Sequence, residues 1–143
     1  MTEQSVPVGV VGLGLMGTSI VTCLAAAGHS VVGIDKDAGR RRALRRRVSV
    51  LLSDMRREKL LSRKPATTLR HLRTSSDFRA LRNCSLVIES ILENLAEKRE
   101  VLRDIEDAVA PNALIGSNTS ALPVTELQRG ARHPSRILGI HWG

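Results

Sequence analysis

Residues 6–17 read VPVGVVGLGLMG. Val6 to Val11 is an uncharged, β-branched run bounded by glycines, which predicts a strand buried on both faces of a parallel sheet. Gly12, Gly14 and Gly17 follow as G-L-G-L-M-G, opening an apolar, alanine-rich stretch from Leu15 to Ala27. That stretch contains no proline and meets Gly28, so it predicts a helix with a glycine stop. A second buried strand, HSVVGID, then closes on Asp35, eighteen residues beyond the last glycine.

Three spaced glycines are a weak signal by themselves. Between a strand and a helix, with an acid at the end of the next strand, they form the Rossmann dinucleotide fingerprint. Gly12 permits the tight turn, Gly14 has no Cβ to obstruct a pyrophosphate, and Gly17 lets helix and strand pack closely. The helix N-terminus offers free N–H groups and a positive dipole end to phosphate. Leu13, Leu15 and Met16 complete the candidate loop. Asp35 is placed to accept hydrogen bonds from the adenosine ribose, and a carboxylate there favours NAD over the 2′-phosphate of NADP. Lys36 and Arg40 to Arg42 stand close by with the opposite charge. The competing reading is a glycine-rich turn in an α/β domain that binds no nucleotide.

The rest of the chain extends the same alternation. Residues 38–64 form an arginine-rich helical stretch ended by Pro65, with Leu44, Val48, Leu51, Leu52 and Met55 as its apolar stripe. A short strand is predicted over Leu69–Thr74, then CSLVIES (84–90), a helix over about 94–109, the strand NALIGSN, a short helix in LPVTELQRG and a last strand, RILGI. The expected fold is α/β: a doubly wound, mainly parallel six-stranded sheet with a basic helical arm after the second strand. One domain fills residues 1–143.

Composition narrows the function classes. There is one Phe, one Trp and no Tyr, so the core is aliphatic. No apolar run is long enough to span a membrane, and MTEQSVP lacks the basic start of a secretory signal. Cys23 and Cys84 match neither a metal spacing nor a disulfide framework; Cys23, inside a helix, is read as a small buried residue. No metal is expected, and a cytoplasmic setting is. The net charge of +8 is uneven: residues 36–82 hold sixteen bases and four acids, which points to a local anionic contact.

Two further blocks carry a family resemblance. Val87-Ile88-Glu89-Ser90 with Glu93 and Lys98, then Ser117-Asn118-Thr119-Ser120-Ala121-Leu122, then Gly139-Ile140-His141, resemble the NAD-binding domain of L-3-hydroxyacyl-CoA dehydrogenases. The resemblance covers nearly the whole chain. It implies NAD-dependent oxidation of the 3-hydroxyl of an acyl-CoA in fatty-acid β-oxidation or a related route. His141 matches the catalytic histidine, a residue type whose ordinary pKa of about 6.5 suits proton removal near neutrality. Ser120 matches the serine near nicotinamide and acyl substrate, and Glu93 and Lys98 match positions contacting the nicotinamide end of NAD. Asn118 is a further cofactor candidate.

Each residue has a plainer reading. Ser120 is also suited to cap the helix near Pro123, Asn118 and Thr119 to shape the turn, Glu93 and Lys98 to be solvated helix residues, and His141 to end a strand. The chain also departs from the pattern. Trp142-Gly143 stand where the family has Phe-Phe-Asn-Pro, and the expectation is a nucleotide-binding part without the later asparagine, the glutamate that orients the histidine and the C-terminal substrate and dimerisation domain. Little turnover is therefore expected from these residues alone, with self-association through the exposed edge as a corollary.

In the family the segment after the second strand lies beside the CoA nucleotide, and Arg56, Arg57 and Lys59 are the candidates here for its phosphates. Two other function classes stay open. One is polyanion or nucleic-acid binding through RRRALRRR, which would weaken steeply with salt. A nucleic-acid partner is not expected, since no aromatics interleave the arginines to stack bases. The other is an NAD-binding module or the domain of another β-hydroxyacid dehydrogenase.

Overall fold

The computed structural model describes residues 6–142; Met1–Ser5, with most of the leader reading, and Gly143 lie outside the described residues. Six strands form one sheet: β1 (Val8–Val11), β2 (Val31–Ile34), β3 (Leu72–Ser75), β4 (Leu86–Glu89), β5 (Leu114–Asn118) and β6 (Ile137–Ile140). Their spatial order is β3-β2-β1-β4-β5-β6, and all five pairings are parallel. The sheet is thus wholly rather than mainly parallel. The order in which strands are added reverses between β1 and β4, which opens a crevice beyond the carboxyl ends of those two parallel strands.

The helices cover both faces, as parallel strands require. α1 (Leu15–Ala26), α2 (Ala38–Arg57) and the short α3 (Pro65–Leu69) lie on one side, and α4 (Leu95–Ala108) and α5 (Val124–Leu127) on the other. Neighbouring residues of β1 feed opposite cores: Val10 joins Ile20, Val21, Leu44 and Val48, whereas Val11 joins Leu102, Ile105 and Ile115. That alternation is why the strand is apolar throughout. Among the described residues no helix is long and apolar enough to cross a membrane.

Several expectations need correction. The basic arm is one helix to Arg57, not a stretch to residue 64. Lys59 stops it by taking a left-handed φ of 61°, the geometry usually supplied by glycine. Pro65 then starts α3 instead of ending a helix, because a first-turn residue needs no N–H and its φ is already set. Residue 69 consequently belongs to α3, and β3 begins at Leu72. Within α2, Leu44, Val48 and Leu52 are buried while Leu51 is exposed, its side chain turned off the stripe. Cys23 is exposed as well. It sits two residues from both Val21 and Ala25, which are buried, so the helical turn carries it to the outer face.

Candidate functional site

A cavity of about 840 Å³ occupies the crevice at the β1–β4 reversal. Its floor is Val11, Gly12 and Gly14. One end is bordered by Asp35, Lys36, Arg40 and Phe78, the other by Ser90, Ile91, Glu93, Asn118, Ser120 and His141.

The floor fits a diphosphate. Gly12 has φ +98°, closed to most side chains, and a Cβ there would stand 2.5 Å from the Ser90 carbonyl oxygen. A Cβ on Gly14 would meet nothing within 4 Å, so that side of the loop is open to a ligand. The helix ends differ in an informative way. Asp37 caps α2 by accepting from Arg40 N, and Asn94 caps α4 by accepting from Glu97 N. α1, whose N-cap is Gly14, has no side-chain cap and no acid in its first turn. Its leading N–H groups therefore stay free for an anion.

Asp35 is almost wholly buried at the end of β2. Its Oδ2 accepts from Leu13 N at 2.9 Å and its Oδ1 from Asp37 N at 2.9 Å, so the carboxylate is held in a fixed orientation. Arg40 lies 3.8 Å from Oδ2, and Arg41 donates to the Asp35 carbonyl. The lone pairs that remain suit ribose hydroxyl donors.

At the other end, β5 runs into the turn that carries Ser120. Thr119 shapes this turn: its Oγ accepts from Leu122 N at 3.0 Å and donates to Glu93 Oε2 at 2.8 Å. Ser120 is therefore no helix cap. Among the described residues its hydroxyl has no side-chain hydrogen bond, and it faces the cavity together with His141. Asn118 Nδ2 donates to Ser90 Oγ at 3.2 Å, and its Oδ1 accepts from Trp142 N at 3.2 Å. Asn118 so ties the ends of β4 and β5 to the segment after His141.

The other candidates divide. Gly12, Gly14, Leu15, Met16, Asp35, Glu93, Asn118, Ser120 and His141 border the cavity, while Leu13, Gly17 and Lys98 do not. Leu13 is fully buried and gives its N–H to Asp35. Gly17 serves packing. Lys98 is neither solvated nor at the cavity surface: its side chain has no exposure and pairs with Glu89 at 2.6 Å. Glu93 precedes α4 and does not start it, because Asn94 is the cap.

Arg56, Arg57 and Lys59 do not border the cavity. α2 starts beside Asp35, and at about 1.5 Å per residue its twenty residues carry Arg57 to the far end of the domain. Arg57 pairs there with Asp54. Of the RRRALRRR run, Arg42, Arg45, Arg46 and Arg47 are all exposed, but Arg45 donates to the carbonyls of Leu69 and Leu72, whereas the side chains of the other three make no hydrogen bond to the described residues.

Sequence reading also missed lining residues: Ser90 and Ile91 past β4, Phe78 past β3, and an acidic row of Glu97, Glu100 and Asp104 on α4. Partial desolvation, with Glu100 and Asp107 nearby, raises the Asp104 carboxyl above its ordinary value. Ser90 and Ile91 were findable, since residues just after a strand beside the first glycine turn must face the same crevice. Phe78 gave no periodic signal.

Residues 7–143 match the family model described as "3-hydroxyacyl-CoA dehydrogenase, NAD binding domain". A probable 3-hydroxybutyryl-CoA dehydrogenase from Deinococcus radiodurans is 30% identical over 137 residues, covering 94% of this chain and 48% of that protein. The crystal structure of FadB2 from M. tuberculosis superposes with a TM-score of 0.90 at 30% identity, over 99% of this chain and 50% of that one. An (S)-3-hydroxybutyryl-CoA dehydrogenase from Ralstonia eutropha gives a TM-score of 0.90 at 28% identity, over 97% of this chain and 50% of that one. The chain thus spans about half the length of these relatives.

Proposed function

From the premise that this chain belongs to the 3-hydroxyacyl-CoA dehydrogenase NAD-binding domain family, we propose that it is the cofactor-binding part of a dehydrogenase that interconverts 3-hydroxyacyl-CoA and 3-oxoacyl-CoA. NAD is the cofactor, and the substrate is an acyl thioester of CoA. The observation that carries this reading is one cavity with the uncapped glycine loop and Asp35 at one end and Ser120, Asn118 and His141 at the other.

Bound NAD supplies the acceptor for the hydrogen that leaves C3 with its electron pair. The protein supplies position and a proton acceptor. Gly12 and Gly14 and the α1 N–H groups hold the diphosphate, and Asp35 orients the adenosine ribose. Glu93 and Asn118 border the nicotinamide end. The Ser120 hydroxyl donates to the substrate's reacting oxygen, and an imidazole nitrogen of His141 takes the hydroxyl proton in oxidation and returns it in reduction. Among the described residues no hydrogen bond fixes the His141 ring, so we assign its tautomer and the CoA contacts to the remainder of a full-length dehydrogenase.

Titration with NADH, followed by nicotinamide fluorescence and by calorimetry, tests the reading. Saturable one-to-one binding is expected, with acetoacetyl-CoA reduction by this chain weak or absent. No heat and no fluorescence change with folded protein would overturn it. His141→Ala is expected to keep NADH binding within about twofold, since the imidazole serves the substrate proton. Binding confined to low salt, lost as salt rises and shared by short oligonucleotides would instead favour the polyanion reading.

A further inference from the structure

We propose that Glu89 and Lys98 are positioning residues: a sealed ion pair beneath the crevice that sets the two loops against which the nicotinamide half of the dinucleotide rests. The inference rests on the dinucleotide reading above and goes beyond it, because neither side chain reaches the cavity.

Both side chains have zero exposure. The Lys98 ammonium has three protons and three acceptors: Glu89 Oε2 at 2.6 Å, the Ile91 carbonyl at 3.2 Å and the Asn118 carbonyl at 3.3 Å. Glu93 Oε1 stands 3.5 Å away. Glu89 is equally engaged. Its Oε2 also accepts from Ile91 N at 2.7 Å, and its Oε1 accepts from the buried Ser117 hydroxyl at 2.5 Å. Four segments meet in this knot: the ends of β4 and β5, the first turns of α4, and the link through Ile91.

A pair like this is a poor device for stability alone. Removing two charges from water costs free energy that their attraction recovers only when every remaining group is bonded, and apolar replacements often fold as well. Orientation is what an apolar pair does not supply. The ammonium draws two carbonyls, from loops after different strands, toward one point. Ile91 and Asn118, which own those carbonyls, both border the cavity at its nicotinamide end. The adenosine end, built from Gly12, Gly14 and Asp35, shares none of these bonds.

The asymmetry sets the experiment. Lys98→Met alone strands a buried carboxylate and invites unfolding. The double variant Glu89→Gln/Lys98→Met removes both charges at similar volume: the glutamine amide still serves Ile91 N and Ser117, while the two carbonyls lose their donor. Calorimetry would compare NADH with ADP-ribose, which lacks the nicotinamide. The double variant is expected to bind ADP-ribose within about twofold of wild type and NADH about tenfold more weakly. Glu89→Gln alone is expected to weaken NADH by an intermediate factor, because the ammonium loses its counter-charge.

Unchanged NADH affinity in the folded double variant would overturn the proposal, as would parallel loss of both ligands tracking a fall in Tm. A wild-type-like Glu89→Gln beside a weakened double variant would also overturn it, making Lys98 a direct cofactor contact. Wild-type protein that binds neither ligand would sink the dinucleotide reading itself, an outcome distinct from these.

Discussion

A β-carbon built on Gly17 would lie 1.7 Å from the carbonyl oxygen of Gly12. The helix and the turn that introduces it therefore touch backbone to backbone, with no flexible side chain to give way. Gly17→Ala is expected to cost about 3 kcal/mol or more, because relief requires moving α1 against β1. Gly14→Ala separates binding from folding. Gly14 has an ordinary φ of −74° and open space at its Cβ position, so the alanine variant should keep its Tm within about 2 °C. Its methyl group would stand where the diphosphate approaches, and NADH affinity should fall by about tenfold or more. Thermal melts alongside NADH titration check both variants, and equal Tm losses would contradict the division of labour.

What the sequence made legible follows from how each feature is written in it. Buried parallel strands are apolar runs between turn signals, so VPVGVV, HSVVGID and CSLVIES marked the centre of the sheet and the glycine turn between two of them. Asp35, Ser120 and His141 stand at strand ends or just beyond, and parallel topology alone gathers such positions over one crevice. The misreadings concern properties that need a partner in space. The plainer reading of Lys98, a solvated lysine on a charged helix, fails because Glu89 with the carbonyls of Ile91 and Asn118 makes its burial tolerable. Pro65 can end one helix or begin the next, and its local sequence serves either role. Cys23 needed the rotation of α1 to be placed, and that helix is too uniformly apolar to reveal an outward face.

The arginines of α2 are not equivalent. Arg45 donates at 2.9 Å to the Leu69 carbonyl and at 2.8 Å to the Leu72 carbonyl, pinning the helix to the start of β3. The side chain of Arg46 beside it, exposed like Arg45, makes no hydrogen bond to the described residues. Arg45→Ala is expected to destabilise the fold by about 1–2 kcal/mol, since each bond has a charged donor but is partly open to water. Arg46→Ala should stay within about 0.5 kcal/mol of wild type. Urea unfolding of the two variants provides the comparison, and identical midpoints would show that the Arg45 bridge does not persist in solution.

The acidic row of α4 gives a pH signature. Partial desolvation of an otherwise exposed side chain, then repulsion from Glu100 and Asp107, raises the Asp104 carboxyl above its ordinary value. The folded state thus resists ionising this group. No penalty exists while the carboxyl is protonated in both states, and a penalty appears as pH rises through the carboxylate range and persists at neutrality. Asp104→Asn should therefore be more stable than wild type at pH 7, by about 0.2–0.5 kcal/mol given the group's large exposure and its screening by salt. The difference should vanish below the carboxylate range. Unfolding curves at acidic and neutral pH would show it, and a variant less stable at pH 7 would reverse the sign argued here.

The two thiols should separate cleanly in reactivity. Cys23 is exposed on the outer face of α1, whereas Cys84 is buried. Burial raises the Cys84 thiol from its ordinary value of 9.0 to about 11, against a smaller opposing effect of Arg73. A neutral, inaccessible thiol does not attack disulfides. Ellman's reagent at pH 8 should consume one thiol rapidly in the native protein and the second only after denaturation. The same shift carries a stability consequence. In the unfolded chain Cys84 ionises from about pH 9, while in the folded protein it stays protonated until about 11. The unfolded state is thus favoured progressively as pH rises from 9 to 11, and that loss ends once both forms are ionised. Cys84→Ala would lack this alkaline decline but carry a pH-independent cavity cost. If two thiols react at equal rates in the native protein, the packing of Cys84 against Leu81 and Val87 in the α4-side core is wrong.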